Sequence, residues 1–405
     1  MTGPRPGRWR AAAPATAARV VLAKNLARSI RRGHPWIYRD ALRPTVDAIA
    51  DGALVQLVAR DGRPLALGFW DARSPIAVRV LAGLPSLGDA LGTDATMVTE
   101  RARAALDRRL SFLDLARTNA FRWIHGEADR LPGIHVDVYA DTATVRFDGA
   151  GARAFYRGRD IDALLVETGQ AVGLRAVVER GHPAAAPSLR EIEVRENGLL
   201  FGADLAHGGK GGLFLDQRDN RAAVGALSRG ARVLNLFGYT GGFSIYAAAA
   251  GAVRTMTVDI ARPAIAAARR NFERNQLPTV DAAFHAGDAF EFLEGARRRL
   301  EQWDVVVSDP PSFAPSRVAL PAARKAYRRL HRLSAGVVAP GGLFCAASCS
   351  SHFGRADLLA SVEDGARDGG RRFTLVELRG AAPDHPVVPE FPEGDYLKMA
   401  IGRVD

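Results

Sequence analysis

The pattern of apolar and polar residues changes twice along the chain. In the first region, about residues 17–97, short alternating runs predict strands at Ala18–Ala23, Ala53–Ala59, Pro64–Trp70 and Ile76–Leu81. Asp61-Gly62 is typical of a hairpin turn. A basic helical turn, Leu26–Arg32, has Asn25 as its expected cap and Gly33 as its expected end. These signals predict a small, barrel-like β unit.

The second region, about residues 98–190, mixes helical and strand-like spacing. Helices are predicted at Thr99–Leu115 and Ile161–Thr168, and strands at Phe121–His125, Ile134–Tyr139, Ala143–Phe147 and Leu174–Glu179. We therefore predict a small α+β domain, followed by a linker over residues 181–188.

From about residue 191 to residue 405, strands and helices alternate regularly. The predicted strands are Val233–Phe237, Thr255–Asp259, Asp281–His285, Asp304–Ser308, Gly342–Ser348, Phe373–Leu378 and Leu397–Ile401. Helical spacing fills most of the intervals between them. This alternation predicts an α/β fold with a Rossmann-like, doubly wound and mostly parallel sheet. Ligands of such sheets bind at the carboxyl ends of the strands.

The distribution of charge along the chain indicates a binding partner. The formal net charge is +11, and residues 1–43 contain nine arginines and Lys24 against one acid, Asp40. Such a surplus indicates a polyanionic partner, with nucleic acid first. Residues 1–16, rich in Gly, Pro and Ala, are predicted to be a flexible tail.

The sequence also indicates a compartment. Two cysteines in 405 residues are typical of a reducing environment, and no apolar run reaches the length of a transmembrane helix. We therefore predict a cytoplasmic protein, and the residue patterns predict no metal site.

Candidate ligand-binding residues follow the first three strands of the alternating region. A glycine-rich turn, Asn235–Ser244, follows the first strand, with Asn235, Phe237, Gly238 and Gly241 as candidates, although many such turns only let a helix pack on a strand. Asp259 ends the second strand, where a carboxylate can accept both hydroxyls of a ribose. Asp288 follows the third; it could face an adenine amino group or cap the helix that begins at Ala289.

The fourth strand is followed by Asp309-Pro310-Pro311-Ser312-Phe313. The two prolines fix the backbone and make Asp309 a rigid platform for a planar group. Phe313 could stack on a base.

Together these strand ends are similar to class I S-adenosylmethionine methyltransferases. The segments that carry a closer resemblance are Arg32–Trp36, 126–134, 210–218, 235–244, 309–313, 384–386 and 392–398. Over nearly the whole chain they resemble bacterial 23S ribosomal RNA large-subunit methyltransferases with an N-terminal PUA domain, and the cytosine-5 member most of all.

The resemblance implies three domains: a PUA-like RNA-binding domain over 17–97, a small middle domain over 98–190 and a methyltransferase domain over 191–405. It implies S-adenosylmethionine as cofactor, with Phe214 and Gln217 close to it. Asp384-His385-Pro386 and residues 393–398 are expected to form a substrate loop. The partner implied is 23S ribosomal RNA, naked or partly assembled; a homodimer stays one alternative for the oligomeric state. The expected RNA-binding residues are Arg31, Arg32, His34, Trp36, Phe313, Lys325 and Arg328.

Ser348-Cys349-Ser350 matches the position of a cysteine in the cytosine-5 members. Carbon 5 of cytosine is a weak nucleophile until a thiolate adds at carbon 6, and cysteine is the side chain suited to that addition. Asp309 is a candidate for the base that then removes the carbon 5 proton.

Two alternatives stay open. Asp-Pro-Pro-Ser-Phe also resembles guanine-N7 relatives, and Ser312 stands where some cytosine-5 enzymes have a second cysteine. The other alternative is a non-catalytic RNA-binding factor in ribosome assembly that has a methyltransferase scaffold.

Overall fold

The computed structural model describes residues 17–44, 48–83, 95–180, 191–205, 213–278 and 281–405. The predicted tail 1–16, the linker 181–188 and Lys210–Gly212 lie outside the described residues. The chain forms two compact units. Unit 1 takes in Met1–Leu115, Ala120–Pro187 and Pro386–Pro392, and unit 2 takes in Ala116–Asn119, Ser188–His385 and Glu393–Asp405.

The described residues of unit 1 form two sheets. Its strands are β1 (Ala18–Val21), β2 (Trp36–Tyr38), β3 (Leu54–Val58), β4 (Pro64–Trp70), β5 (Ile76–Gly83), β6 (Ala120–His125), β7 (Ile134–Tyr139), β8 (Thr142–Phe147) and β9 (Ala176–Glu179). Its helices are α1 (Ala27–Arg32), α2 (Ala95–Leu110), α3 (Ala150–Arg157) and α4 (Ile161–Thr168). The strand orders are β1-β3-β4-β5-β2 and β6-β7-β8-β9.

Two glycine signals in unit 1 are confirmed, whereas helix α3 was not predicted. Gly62, in the β3–β4 turn, has a φ of 83°, and Gly33 ends α1 with a φ of 102°. The prediction that Asn25 caps α1 was wrong, because the N-cap residue is Leu26 and no side chain caps the helix. The division of residues 17–190 into two domains stays a prediction; one core draws on both parts, with Phe69 stacked on Phe155 at 4.7 Å.

Unit 2 contains a β-hairpin and the seven-stranded sheet. Its strands are β10 (Glu191–Glu196), β11 (Leu199–Asp204), β12 (Arg232–Leu236), β13 (Arg254–Asp259), β14 (Ala282–Ala286), β15 (Trp303–Ser308), β16 (Val338–Ser348), β17 (Phe373–Arg379) and β18 (Lys398–Val404). Its helices are α5 (Arg218–Ala226), α6 (Gly242–Ala249), α7 (Arg262–Arg274), α8 (Ala289–Arg298), α9 (Leu320–Ala335) and α10 (Arg355–Asp368).

The large sheet has the order β14-β13-β12-β15-β16-β18-β17, and its first five strands are parallel. β15 explains the layering: Val306 packs in a core with α8, α9 and α10, whereas Val305 and Val307 pack with α5 and α6. Both faces are therefore covered, as the apolar run of β15 requires. The chain runs outward from β12 in one direction and from β15 in the other, so a switch point lies between these two strands.

Among the described residues, no helix is both long and apolar enough to cross a membrane.

Candidate active site

A cavity of about 700 Å³ lies at the carboxyl ends of the central strands of unit 2. That volume is within the range of about 300–1,000 Å³ that small-molecule pockets occupy. The cavity is lined by predicted site residues from six separate chain segments: Phe214, Gln217, Phe237, Gly238, Asp259, Asp288, Asp309, Phe313 and Cys349.

The glycine-rich turn between β12 and α6 has an unusual backbone. Phe237 and Tyr239 have φ values of 56° and 47°, a region that side-chain-bearing residues rarely adopt. Gly238 lies between them, and a Cβ there would be 2.6 Å from Thr257 Cγ2. Such conformations cost on the order of 1–3 kcal/mol each and persist where the surrounding structure holds them. The turn thus brings bare backbone to the cavity wall.

Asn235 and Gly241 shape this turn but are absent from the cavity lining. Asn235 is buried and its Nδ2 donates to Ser244 Oγ at 3.1 Å. Gly241 has a φ of 83°, and a Cβ there would be 2.9 Å from Ala268 Cβ. That Asn235 and Gly241 bind the cofactor stays a prediction. The contacts that the structure gives these two residues are with other parts of the protein.

Asp259 holds the turn from the next strand. Its Oδ2 accepts from the Tyr239 backbone N–H at 2.9 Å, and its Oδ1 accepts from Ala261 N–H at 2.8 Å. Because Ala261 is the N-cap residue of α7, Asp259 is not that helix's cap. Its position at the cavity is the one expected of a ribose-binding carboxylate.

Asp288 does cap a helix. Its Oδ1 accepts from the backbone N–H groups of Phe290 and Glu291, at 2.8 and 3.0 Å, at the start of α8. Asp288 therefore caps α8 through Oδ1. It also lines the cavity.

Asp309 is half-buried at the end of β15 and is held by a buried amide. Gln217 Nε2 donates to Asp309 Oδ2 at 2.9 Å, and Asn220 Nδ2 donates to Gln217 Oε1 at 2.6 Å. This chain of bonds orients Gln217 and fixes the Asp309 carboxylate at the cavity.

The segment that carries Gln217 is anchored at several points. Asp216 Oδ2 accepts from Tyr396 Oη at 2.6 Å, and the N-cap residue of α5 is Gln217. Arg218 donates to both carboxylate oxygens of Asp384, each at 3.0 Å. Burial acts to raise the pKa of Asp384, but His385 and Arg218 outweigh it and hold that pKa well below its usual range.

This ion pair corrects one expectation. Asp384 and His385 were expected in a loop that contacts substrate, but Asp384 is fully buried and His385 is only 4% exposed. Their segment is a loop, yet these two side chains serve to anchor Arg218.

Cys349 follows the last residue of β16, lines the cavity and is half-buried. The turn around it is fixed by hydroxyl groups. Ser350 Oγ lies 2.9 Å from Ser312 Oγ and 3.0 Å from Tyr327 Oη, and Tyr327 Oη also lies 2.9 Å from Ser348 Oγ. Ser312 therefore ties the Asp-Pro-Pro segment to the cysteine turn.

The second cysteine has a different environment. Cys345 is fully buried inside β16, and burial raises the pKa of its thiol to about 12. A thiol in this position stays protonated at neutral pH and is a poor nucleophile.

Tyr327 was not predicted as a site residue, and Lys398 was predicted only as the last residue of the substrate loop 393–398. Tyr327 lies on the buried face of α9, and the only signal was a hydroxyl group in an apolar helical stripe. Lys398 opens β18 and is 1% exposed; its Nζ donates to Ser350 O at 2.5 Å and to Tyr396 O at 2.9 Å. A lysine inside a strand was its signal.

Several of the basic side chains of helix α9 form ion pairs with acidic residues of the protein. Arg328, predicted to bind RNA, is exposed but donates to Asp368 at 2.5 and 2.7 Å. Lys325 is exposed, and the described residues give it no ion pair. Phe313 is half-buried, with its ring 4.8 Å from that of Tyr327. RNA contacts by all three stay predictions.

In unit 1, Arg31 and Arg32 are exposed in the last turn of α1. His34 Nδ1 lies 3.3 Å from the backbone N of Trp36. Trp36 Nε1 donates to Glu127 Oε1 at 2.7 Å, and its ring centroid lies 4.6 Å from that of Phe391. Trp36 thus has protein partners on its edge and its ring, and its role in RNA binding stays a prediction.

Comparisons with known proteins agree with this geometry. Residues 182–397 match the S-adenosylmethionine-dependent methyltransferase family, and residues 20–82 match the PUA-like domain family. A protein of Aeromonas salmonicida named ribosomal RNA large subunit methyltransferase I is 33% identical over 95% of this chain and 98% of its own length. The protein of that name from Salmonella newport is 32% identical over 95% and 97%.

Solved structures share the fold. A methyltransferase structure in complex with SAH has a TM-score of 0.82 at 23% identity, and covers 95% of this chain and 100% of its own. A SAM-dependent methyltransferase from Streptococcus mutans has a TM-score of 0.81 at 22% identity, with the same coverage.

The predicted fold class, enzyme class and cofactor are confirmed, and the cofactor is S-adenosylmethionine. The chain belongs to the family of S-adenosylmethionine-dependent methyltransferases that also contains the proteins named ribosomal RNA large subunit methyltransferase I.

Proposed function

We propose that this enzyme methylates carbon 5 of a cytosine in 23S ribosomal RNA through a covalent adduct with Cys349. The observation that carries the proposal is a half-buried cysteine in the wall of the same cavity as Asp259 and Asp309. A guanine-N7 transfer needs no such nucleophile, because that nitrogen already carries a lone pair.

Ribosomal RNA as substrate is supported by the names of relatives that cover the chain almost end to end. The match of residues 20–82 to a PUA-like domain and the net charge of +11 support a nucleic-acid partner independently of those names. A base in a duplex cannot reach such a cavity, so the target cytosine must be flipped out or lie in an exposed loop. Naked or partly assembled RNA meets that requirement.

The cavity residues fit S-adenosylmethionine. Asp259 would hold the ribose hydroxyls, and the exposed backbone of the turn at Gly238 would approach the cofactor closely. The aromatic rings of Phe214 and Phe237 supply an apolar wall. When bound, the cofactor supplies an electrophilic methyl group.

The chemistry of the chain's own residues then follows. The Cys349 thiolate forms a bond from sulfur to carbon 6, and the electron pair of the 5,6 double bond makes carbon 5 nucleophilic. After carbon 5 has gained the methyl group, a base removes its proton and the bond from carbon 6 to sulfur breaks, which regenerates the double bond and the thiolate. Asp309, fixed by Gln217, is our candidate for that base.

Trapping tests the adduct. RNA with 5-fluorocytosine at its cytosine positions carries fluorine where the proton must leave, so the adduct cannot resolve after methyl transfer. We expect wild-type protein, cofactor and this RNA to give a covalent complex that survives denaturing electrophoresis. Cys349→Ala should give none.

Cys345→Ala is the matched control, since it removes a thiol four positions away that is fully buried. It should trap RNA as the wild type does. Absence of any adduct with an active wild-type enzyme, or an undiminished adduct in Cys349→Ala, would contradict the proposal.

A further inference from the structure

Lys398, the buried first residue of β18, lies beside the turn that contains Cys349 and can influence the ionisation of its thiol. Lys398 lies directly opposite Ser348 in the antiparallel pairing of β16 and β18. Its Nζ donates to the carbonyl of Ser350, the residue after Cys349, and to the carbonyl of Tyr396. An ammonium has three N–H donors, and the described residues take only two of them from Lys398.

The charges around Lys398 are otherwise balanced. Asp395 is paired with Arg355 at 3.0 Å, and Asp357 with Arg324 at 2.8 Å. Tyr327 of α9 also contacts the cysteine turn; burial raises the pKa of its phenol, so it is neutral at physiological pH. Asp309 lines the same cavity as Cys349, and its Oδ2 accepts from Gln217 Nε2. Within the part of the chain that the structure describes, Lys398 forms no ion pair with a carboxylate.

An unpaired ammonium that is 1% exposed is costly unless an anion forms next to it. Burial lowers the pKa of Lys398 to about 8, and the Cys349 thiolate is the strongest of the groups that act to raise it. The two groups therefore sense each other's charge, and each charged form favours the other.

We propose that Lys398 is a positioning residue that stabilises Cys349 as the thiolate and holds the cysteine turn against the cavity. The inference rests on the proposed function, since it gives the adduct-forming nucleophile its ionised state. Formation of the thiolate releases the thiol proton to solvent, and the ammonium form of Lys398 is the form that stabilises the thiolate.

The test measures the thiol directly, without RNA. The rate of alkylation of Cys349 by iodoacetamide is followed from pH 6 to 10 by peptide mass spectrometry, with the buried Cys345 as an internal reference. Lys398→Gln keeps N–H donors for the two carbonyls but loses the charge, and Lys398→Arg keeps the charge. Lys24→Gln, at an exposed lysine of unit 1, is the matched control.

Lys398→Gln should shift the midpoint of the alkylation profile upward by about one pH unit, which is about a tenfold slower reaction at pH 7. Lys398→Arg should keep most of the wild-type midpoint, and Lys24→Gln all of it. An unchanged midpoint in Lys398→Gln would overturn the proposal, because a purely structural role does not move it.

The two proposals fail separately. A shifted midpoint in an enzyme that forms no adduct on 5-fluorocytosine RNA would retain Lys398 as the partner of the thiolate and refute the cytosine-5 reaction. An adduct together with an unshifted midpoint would support the cytosine-5 reaction and refute the role of Lys398.

Discussion

The ion pair between Arg218 and Asp384 gives a quantitative prediction. It is bidentate, with both distances at 3.0 Å and side chains only 4% and 0% exposed. Without Asp384, the buried Arg218 keeps only Asp219, whose Oδ1 accepts from Arg218 Nε at 3.1 Å and whose side chain is 40% exposed. Breaking a buried pair in this way costs about 3–5 kcal/mol. Asp384→Ala should therefore destabilise unit 2 by that amount.

The pair of Arg232 and Asp304 is a control with matched chemistry. It is also bidentate, at 3.0 and 2.9 Å, but its side chains are 44% and 39% exposed. Exposed pairs contribute about 0–1 kcal/mol, so Asp304→Ala should cost little. Because the lowered pKa of Asp384 keeps it ionised, its contribution should persist at neutral pH and be lost only as the pH falls below about 4.

Hydrogen exchange measured by mass spectrometry on peptides from β12 and β15 reports the opening free energy of unit 2 in each variant. The double variant Arg218→Met/Asp384→Leu should recover most of the loss, because an apolar pair leaves no charge unpaired. Equal, small losses in Asp384→Ala and Asp304→Ala would refute the reasoning. Asp384→Ala should also weaken cofactor binding, because Gln217 adjoins Arg218 and holds Asp309.

Three further predictions concern the turn and the core. Asp259→Asn should weaken S-adenosylmethionine binding about ten- to a hundredfold in calorimetric titrations, because a charge-assisted bond to the strained turn is lost; unchanged affinity would contradict this. Gly238→Ala should cost about 1–3 kcal/mol in denaturant unfolding, whereas Gly83→Ala, whose Cβ would meet nothing within 4 Å, should be neutral. Burial lowers the pKa of His331 to about 4, so stability should fall by up to about 3 kcal/mol between pH 6.5 and pH 4, and a His331→Gln variant should show a shallower loss.

The strand-end residues could be predicted from sequence because topology brings them together. Parallel strands end at one edge of a sheet, so Asp259, Asp309 and Cys349 had to be neighbours once the alternation was recognised. The two carboxylates among them indicated the cofactor site, and the cysteine indicated the nucleophile.

Partners across long separations could not be predicted in this way. Arg218 and Asp384 are 166 residues apart, and Lys398 and Ser350 are 48 apart. Such pairings depend on the register of β16 with β18 and on the path of the loop before β18, which no local pattern encodes. The same limit explains why Asp384 was expected in a substrate loop, since an Asp-His-Pro run is typical of a polar loop until its arginine partner is known.

The identity of the methylated nucleoside tests the central claim most directly. Unmodified 23S ribosomal RNA, incubated with the enzyme and methyl-labelled S-adenosylmethionine, is digested to nucleosides and analysed by mass spectrometry. We predict label in 5-methylcytidine with the wild type and none with Cys349→Ala. Label in 7-methylguanosine or another nucleoside, or 5-methylcytidine undiminished in Cys349→Ala, would contradict the account.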